Sequence, residues 1–146
     1  MEIEKKFLVK FLPSNIMEHK SAEIEQSYIS TDPTIRLRRK NDKYILTVKG
    51  KGQLAREEFE LELSNSQYAA LLKKVDTPAV IKTRYFIPLA DPLTAELDIY
   101  HGTLDGLYTV EVEFSSVAEA EAFIPPEWFG KDVTYDKRYK NTSLSV

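Results

Sequence analysis

Alternating apolar and polar residues divide most of the chain into short segments that are typical of β-strands. Eight such segments are predicted, at residues 2–10, 24–31, 34–40, 43–50, 56–63, 81–88, 94–100 and 107–114. Asn41 and Asp42 form a turn-like sequence between the third and fourth segments, and Gly102 and Gly106 lie between the last two. Each of these pairs is therefore expected to form a hairpin.

Two further segments carry the capping signals of helices. Ser64 is followed by Gln67, and Ser116 by Glu119, as in the residues that begin many helices. A short helical piece near residues 13–19 fits the pattern less well. Many strands with a few helices indicate an α+β protein, with an antiparallel sheet or barrel and helices on one face.

The polar positions of the predicted strands are mostly charged, and charges of one sign recur within a strand. Acidic residues alternate with apolar ones in three segments, and basic residues occupy alternate positions in two others: Glu58, Glu60 and Glu62; Glu96 and Asp98; Glu111 and Glu113; Arg36 and Arg38; Lys82 and Arg84. Alternate residues of a strand are about 6.6 Å apart. Like charges at that distance repel by about 2.5 kcal/mol at an effective dielectric constant of about 20.

A solvated sheet face explains one strand that carries like charges on one side. The recurrence of this pattern in several strands favours an arrangement in which the charges face a cavity. Acids and bases that face each other across a cavity would make use of charges that contribute nothing to folding. Carboxylates bind hard divalent cations, and Arg and Lys bind phosphate oxygens. The pattern therefore indicates a site for Mg²⁺ or Mn²⁺ with a polyphosphate. Side chains must hold the phosphates, because the sequence has no glycine-rich phosphate loop.

Composition excludes several other classes of protein. The chain has 146 residues, which suits a single domain over 1–146. Its 20 Lys and Arg and 23 Asp and Glu give a net charge of −3, which argues against a nucleic-acid partner. The absence of cysteine excludes disulfides, thiolate metal sites and cysteine nucleophiles. With no apolar segment of membrane-spanning length and no signal-like start, a cytoplasmic protein without a membrane partner is expected.

The first residues carry a motif, Glu2-Ile3-Glu4-Lys5-Lys6, which resembles the E-x-E-x-K signature of the CYTH domain, or triphosphate tunnel metalloenzyme, superfamily. Similar segments follow in order along nearly the whole chain: Arg36-Leu37-Arg38, Thr47-Val48-Lys49, Arg56 to Glu60, Lys82-Thr83-Arg84, Glu96-Leu97-Asp98 and Glu111 to Phe114. The resemblance implies an eight-stranded antiparallel barrel with a charged lumen and a few helices packed outside. It also implies hydrolysis of triphosphates with Mg²⁺ or Mn²⁺.

The resemblance assigns roles to individual residues. The implied metal ligands are Glu2, Glu4, Glu58, Glu60, Asp98, Glu111 and Glu113. The implied phosphate-binding residues are Lys6, Arg36, Arg38, Lys49, Lys82 and Arg84. The general base is left open between Glu60 and Lys82, and Lys82 qualifies only if its surroundings lower its pKa.

Inorganic tripolyphosphate is the expected substrate, with nucleoside triphosphates as additional ones, because the chain is close to the minimal size of such a tunnel. Three alternatives are a class IV-type adenylyl cyclase, a thiamine triphosphatase, and a non-catalytic module that binds polyphosphate or nucleotide. The expected partner is this small-molecule substrate, and the expected state is a monomer or homodimer.

Overall fold

The computed structural model describes residues 1–144, which form ten strands and three α-helices. The strands are β1 (Glu2–Val9), β2 (Lys20–Thr31), β3 (Thr34–Lys40), β4 (Lys43–Lys49), β5 (Ala55–Arg56), β6 (Glu58–Leu63), β7 (Val80–Pro88), β8 (Thr94–Tyr100), β9 (Tyr108–Glu113) and β10 (Phe129–Asp132). The α-helices are α1 (Asn65–Leu72), α2 (Val117–Ala122) and α3 (Asn141–Leu144). Short 3₁₀ turns lie at Ile16–Glu18, Gly102–Leu104 and Lys137–Tyr139.

Antiparallel pairing curls the strands into a nearly closed barrel. The strand order is β10-β1-β9-β8-β7-β2-β3-β4-β6, and β5 pairs with β1 through Glu2 opposite Arg56. Because only Glu57 separates β5 from β6, this pairing brings the last strand of the sheet back to β1. The predicted α+β barrel is therefore confirmed, as are the β3–β4 and β8–β9 hairpins.

The predicted count of eight strands is wrong. The segment expected at 56–63 is interrupted at Glu57, which divides it into β5 and β6. In addition, β10 is a short edge strand that pairs with the C-terminal half of β1, where Phe7 lies opposite Asp132. Four residues are too few to show a period-2 pattern, so the alternation that predicts the other strands does not reveal this one.

The helices begin where the capping signals predict. The Ser64 hydroxyl accepts a hydrogen bond from the Gln67 amide (3.2 Å), and the Gln67 side chain accepts one from the Ser64 amide (2.9 Å). The Ser116 hydroxyl accepts from the Glu119 amide (3.0 Å) at the start of α2. Near residues 13–19 the chain forms only the 3₁₀ turn. Within residues 1–144, every helix is too short or too polar to cross a bilayer.

The hydrophobic core lies outside the barrel wall. Phe7, Leu97 and Val110 belong to a buried cluster that extends to Ala120 of α2 and Phe129 of β10. A second cluster packs Tyr68 of α1 against Leu37 and Leu63 of the wall. Apolar side chains on the outer face of most strands therefore hold the helices, and the charged side chains on the other face point into the barrel, as the alternation predicts.

Candidate active site in the barrel interior

A polar cavity of about 280 Å³ occupies the barrel interior. Of the site residues expected from the sequence, all but Lys82 and Asp98 line it: Glu2, Glu4, Lys6, Arg36, Arg38, Lys49, Glu58, Glu60, Arg84, Glu111 and Glu113. Lys82 and Asp98 lie behind this surface with fully buried side chains. Asp98 forms ion pairs with both Lys82 and Arg84. The structure thus brings side chains from both ends of the sequence into one enclosed space.

Adjacent strands β1 and β9 place two carboxylates in contact. Glu4 lies opposite Glu113 in the register, and Lys6 lies opposite Glu111, so Glu4 and Glu111 are diagonal neighbours. Burial, followed by the charges of Glu111 and Glu2, raises the pKa of Glu4 well above its ordinary value. Burial would also raise the pKa of Glu111, but nearby cations, with Lys6 the strongest, hold that pKa well below its ordinary value. The surroundings therefore favour the charged form of Glu111 and disfavour that of Glu4.

A second acidic group surrounds the ammonium of Lys49. Its Nζ lies 2.8 and 2.9 Å from the two carboxylate oxygens of Glu2, and 3.4 Å from Oε2 of Glu58. Burial raises the pKa of Glu2, against the attraction of Lys49. Burial and the charges of Glu2 and Glu96 likewise raise the pKa of Glu113. The carboxylates of this wall therefore destabilise one another's charged forms, and a cation placed among them would relieve that repulsion.

Asp98 fixes Arg84 in the opposite part of the wall. Its two oxygens accept hydrogen bonds from Arg84 Nε (2.7 Å) and Nη2 (2.9 Å), a bidentate arrangement. Arg84 then reaches Glu96 and Glu111, each at 3.4 Å. Asp98 also contacts Lys82, whose Nζ lies 2.7 Å from Oδ2. Burial of Lys82 outweighs this attraction and lowers its pKa to about 7.

Arg36 and Arg38 face the cavity without a carboxylate partner. Among residues 1–144, no carboxylate oxygen lies within 4.0 Å of either guanidinium, in contrast to Arg84. Arg36 Nη2 donates to the Thr47 hydroxyl (3.3 Å), while its buried Nε has no hydrogen-bond partner. Arg38 donates to Gln26 Oε1 at 3.1 and 3.3 Å. Burial, and then the positive charges of Arg36 and Arg84, lower the pKa of Arg38 to about 9. These cations therefore lack the anion that would balance them.

The C-terminal residues close part of the barrel. Lys6 Nζ donates a hydrogen bond to the Tyr139 carbonyl, and the Lys6 amide donates one to the Thr134 hydroxyl (3.1 Å). The Tyr100 hydroxyl donates to Asn141 Oδ1 (3.3 Å). Strand or helix periodicity does not predict the structure of this segment, since its contacts are made by backbone groups and single polar side chains.

Other lining residues were absent from the predicted set. Arg56 lies 3.6 Å from Glu2 and lines the cavity. The sequence could have predicted this position, because Arg56, Glu58 and Glu60 occupy alternate positions along the same stretch of chain. Tyr28 also lines the cavity, and its hydroxyl accepts a hydrogen bond from Gln26 (3.2 Å). Arg56 and Tyr28 both lie on the cavity-facing side of their strands, but alternation alone does not separate lining residues from reactive ones.

The donor chemistry fits a divalent cation that arrives with a phosphate ligand. Within residues 1–144, no three acidic or histidine side chains converge on a ready-made metal site. The carboxylates form pairs instead, with Glu4 next to Glu111 and Glu2 next to Glu58. Mg²⁺ is ordinarily held by one or two carboxylates together with substrate phosphates. Pairs of carboxylates across from Arg36 and Arg38, which have no carboxylate partner in the described part of the chain, suit that mode of binding.

Comparison with known proteins identifies the family. A family model described as "CYTH domain" matches residues 1–137. The chain belongs to the CYTH domain family. Among CYTH relatives, the inorganic triphosphatase of Nitrosomonas europaea is 43% identical over 99% of this chain and 97% of that protein. The inorganic triphosphatase of Acetivibrio thermocellus is 35% identical over 98% of this chain and 92% of that protein.

Solved structures agree with this assignment. The crystal structure of an inorganic triphosphatase is 40% identical, with a TM-score of 0.72 over 99% of this chain and 94% of that chain. A protein from Hippeastrum, described as having a dominant triphosphatase activity, has a TM-score of 0.60 at 17% identity over 83% of each chain, which shows the fold alone. The CYTH resemblance in the sequence is therefore confirmed, and the family suggests a divalent metal cofactor.

Proposed function

We propose that this CYTH protein is a divalent-metal-dependent triphosphatase that hydrolyses inorganic tripolyphosphate inside its barrel, with nucleoside triphosphates as secondary substrates. The observation that supports this most directly is the pair of cavity-facing guanidiniums, Arg36 and Arg38, which have no carboxylate partner within residues 1–144 and lie across from a carboxylate-rich wall. A metal–polyphosphate needs both features. The names of the two curated relatives support the same activity.

Phosphate oxygens would be bound by the cations that line the cavity. Arg36 and Arg38 offer guanidinium groups that can bind phosphate in a bidentate manner. Arg84 is already oriented by Asp98, so it presents a fixed positive charge with little conformational entropy left to lose. Lys6 and Lys49 would add point charges. Since these groups are in place before the substrate arrives, charge on the transferring phosphoryl group is stabilised without reorganisation.

The cofactor in this proposal is Mg²⁺ or Mn²⁺. Glu2, Glu4, Glu111 and Glu113 would hold it on the β1–β9 wall, with Glu58 and Glu60 on the neighbouring β6. When bound, the ion would neutralise phosphate charge and lower the pKa of a coordinated water. Asp98 is held by Arg84 and Lys82, so in this proposal it positions Arg84 rather than contacting the metal.

Two groups could accept the proton of the attacking water. Glu60 lines the cavity and is exposed within it. Lys82 does not line the cavity, but burial lowers its pKa to about 7, so a large fraction of it is neutral at neutral pH. A base must lie within hydrogen-bond reach of the water, which favours Glu60, and a base whose pKa lies near the working pH is more effective, which favours Lys82. The proposal keeps both candidates, and the pH–rate profiles of their variants decide between them.

The cavity offers little to an organic group. In the part of the chain that the structure describes, Tyr28 is the one aromatic side chain that lines it, and Tyr28 is itself buried. A purine or a thiamine ring would therefore find no stacking surface, which disfavours an adenylyl cyclase or a thiamine triphosphatase. A non-catalytic phosphate-binding module would need the cations but not the carboxylate wall.

A phosphate-release panel tests the proposal. Tripolyphosphate, ATP, GTP, thiamine triphosphate and pyrophosphate are each supplied with Mg²⁺, with Mn²⁺ or with a chelator, and released phosphate is measured. We expect tripolyphosphate to have the highest kcat/KM, and chelation to abolish release. Cyclic AMP formation from ATP, preference for thiamine triphosphate, or tight binding without turnover would each replace the proposal by the corresponding alternative.

The proposal also includes a cytoplasmic location, no nucleic-acid partner, and a monomer or homodimer. The net charge of −3 supports the second point.

A further inference from the structure

A second cavity opens at one end of the barrel. Its walls are the loop between β2 and β3, the loop between β4 and β5, and the C-terminal segment around Lys137, Lys140 and Ser143. It shares lining residues with the interior cavity, among them Thr34 and Gln53, so the two spaces are continuous. We call it the basic vestibule, because its lining cations are Lys49, Lys51, Arg56, Lys137 and Lys140.

The basic vestibule has one carboxylate against five cations among its described lining residues. Asp32 is the one carboxylate among its lining residues in the described chain. Lys49 and Arg56 already contact Glu2, whereas Lys51, Lys137 and Lys140 have no ion-pair partner within 4.0 Å among residues 1–144. Burial, and then the charges of Arg56 and Lys137, lower the pKa of Lys140. Cations that repel one another around an open cavity favour the binding of an anion.

The other end of the barrel has the opposite charge. A surface cavity there is lined by Glu96, Glu113 and Glu119, with no Lys or Arg among its lining residues in the described chain. Two cations lie next to it: Lys40 Nζ is 4.9 Å from the centre of the Phe86 ring, and Arg84 pairs with Glu96. The lining of this surface cavity also includes Phe86, which pairs with Lys20 at the start of β2, whereas Thr31 at the end of β2 lines the basic vestibule. The two openings therefore lie at opposite ends of β2. Glu96 and Glu113 line the interior as well, so the acidic opening adjoins the same space.

We propose that the basic vestibule is an anion-binding subsite that captures the polyphosphate substrate and admits it to the barrel from this end only. The acidic opening repels a polyanion and leaves that end to cations. This inference rests on the proposed function for the identity of the anion. Fields of this kind raise association rates by roughly 10- to 1,000-fold and weaken with ionic strength. They act on kcat/KM, because capture precedes the chemical step.

The test compares two double variants of equal charge change. Lys51→Gln with Lys137→Gln removes two exposed cations of the basic vestibule, and Lys43→Gln with Lys131→Gln removes two exposed lysines elsewhere on the surface. At low ionic strength, the vestibule variant should lose about tenfold in kcat/KM for tripolyphosphate, with kcat unchanged. The control should stay within about twofold of the wild type. Added salt should lower the wild-type kcat/KM and narrow the difference between the wild type and the vestibule variant.

Equal effects in the two double variants, or a wild-type kcat/KM that does not change with salt, would overturn the inference. A substitution at the acidic opening adds an independent check. Glu119→Gln should leave kcat/KM unchanged, and an increase would mean that the anion enters there. If the wild type released no phosphate from tripolyphosphate, the proposed function would fail instead. Calorimetric titration with tripolyphosphate in the presence of a chelator would then test the inference separately. The inference predicts weaker binding by the vestibule variant than by the control.

Discussion

Lys82 Nζ lies 2.7 Å from Asp98 Oδ2, and both side chains are fully buried in the barrel wall. The contact is an ion pair and not a well-directed hydrogen bond, since Nζ has no hydrogen-bond partner of good geometry. Asp98 is at the same time held by the guanidinium of Arg84. The lysine therefore shares its counterion with a stronger cation, and burial lowers its pKa to about 7 in spite of the carboxylate.

This pKa predicts a pH dependence of activity. If Lys82 accepts the proton of the attacking water, kcat/KM for tripolyphosphate should rise with pH through about 7, as Lys82 loses its proton. Lys82→Met should remove this rise and lower kcat by roughly 100-fold or more. A pH–rate profile checks both results. If Lys82→Met retains the rise and Glu60→Gln loses it, Glu60 is the base.

The same pKa predicts a pH dependence of stability. The unfolded lysine titrates near 10.4, so between about pH 7 and that value the unfolded state binds more protons than the folded state. The free energy of unfolding should therefore rise with pH over this interval, by up to about 1.4 kcal/mol per pH unit. Lys82→Met should flatten the rise between pH 7.5 and 9, as measured by urea unfolding.

The exposed Lys73 offers a matched control for that experiment. Lys73→Met should leave the pH dependence of stability unchanged. A wild-type stability that is flat or falls over this pH interval would mean that Lys82 stays protonated in the folded protein, which would also remove it as a base.

Glu111 tests the carboxylate wall. Its pKa is held low by Lys6, Arg84 and Lys82 in spite of burial, so it is ionised throughout the neutral range and available to a metal. Glu111→Gln should reduce metal-dependent phosphate release by roughly 100-fold or more and raise the metal concentration needed for half-maximal activity. The exposed Glu121 of α2 supplies the control, Glu121→Gln, which should retain full activity. Unchanged metal dependence in Glu111→Gln would exclude Glu111 from the metal site.

Much of this architecture could be predicted from the sequence, because strand alternation reports directly on which side of a wall a residue faces. Arg36 and Arg38 lie on the inner face for that reason, and Leu37 between them lies in the outer core. The interruption at Glu57 and the short β10 could not be predicted, since neither changes the alternation of the residues next to it in the sequence.

The pairing of charges inside the barrel could not be predicted. Arg84 is held by Asp98, whereas Arg36 and Arg38 have no carboxylate partner in the described chain, although all three look alike in the sequence. The difference arises from register: Arg84 lies opposite Asp98 across β7 and β8, while Arg36 lies opposite Thr47 across β3 and β4. The contact between Lys6 and the C-terminal segment could not be predicted either, because Lys6 reaches the backbone of Tyr139 and not a side chain.

The account depends most on the claim that the inward charges, and not the outward ones, bind the substrate. Arg38 and Arg39 are neighbours in β3 on opposite faces: Arg38 lines the cavity, and Arg39 pairs with Glu25 on the outer surface. The decisive measurement is kcat/KM for tripolyphosphate in Arg38→Ala and Arg39→Ala. We predict a loss of roughly 100-fold or more in the first and a change of less than about twofold in the second. Equal activities of the two variants would contradict the account.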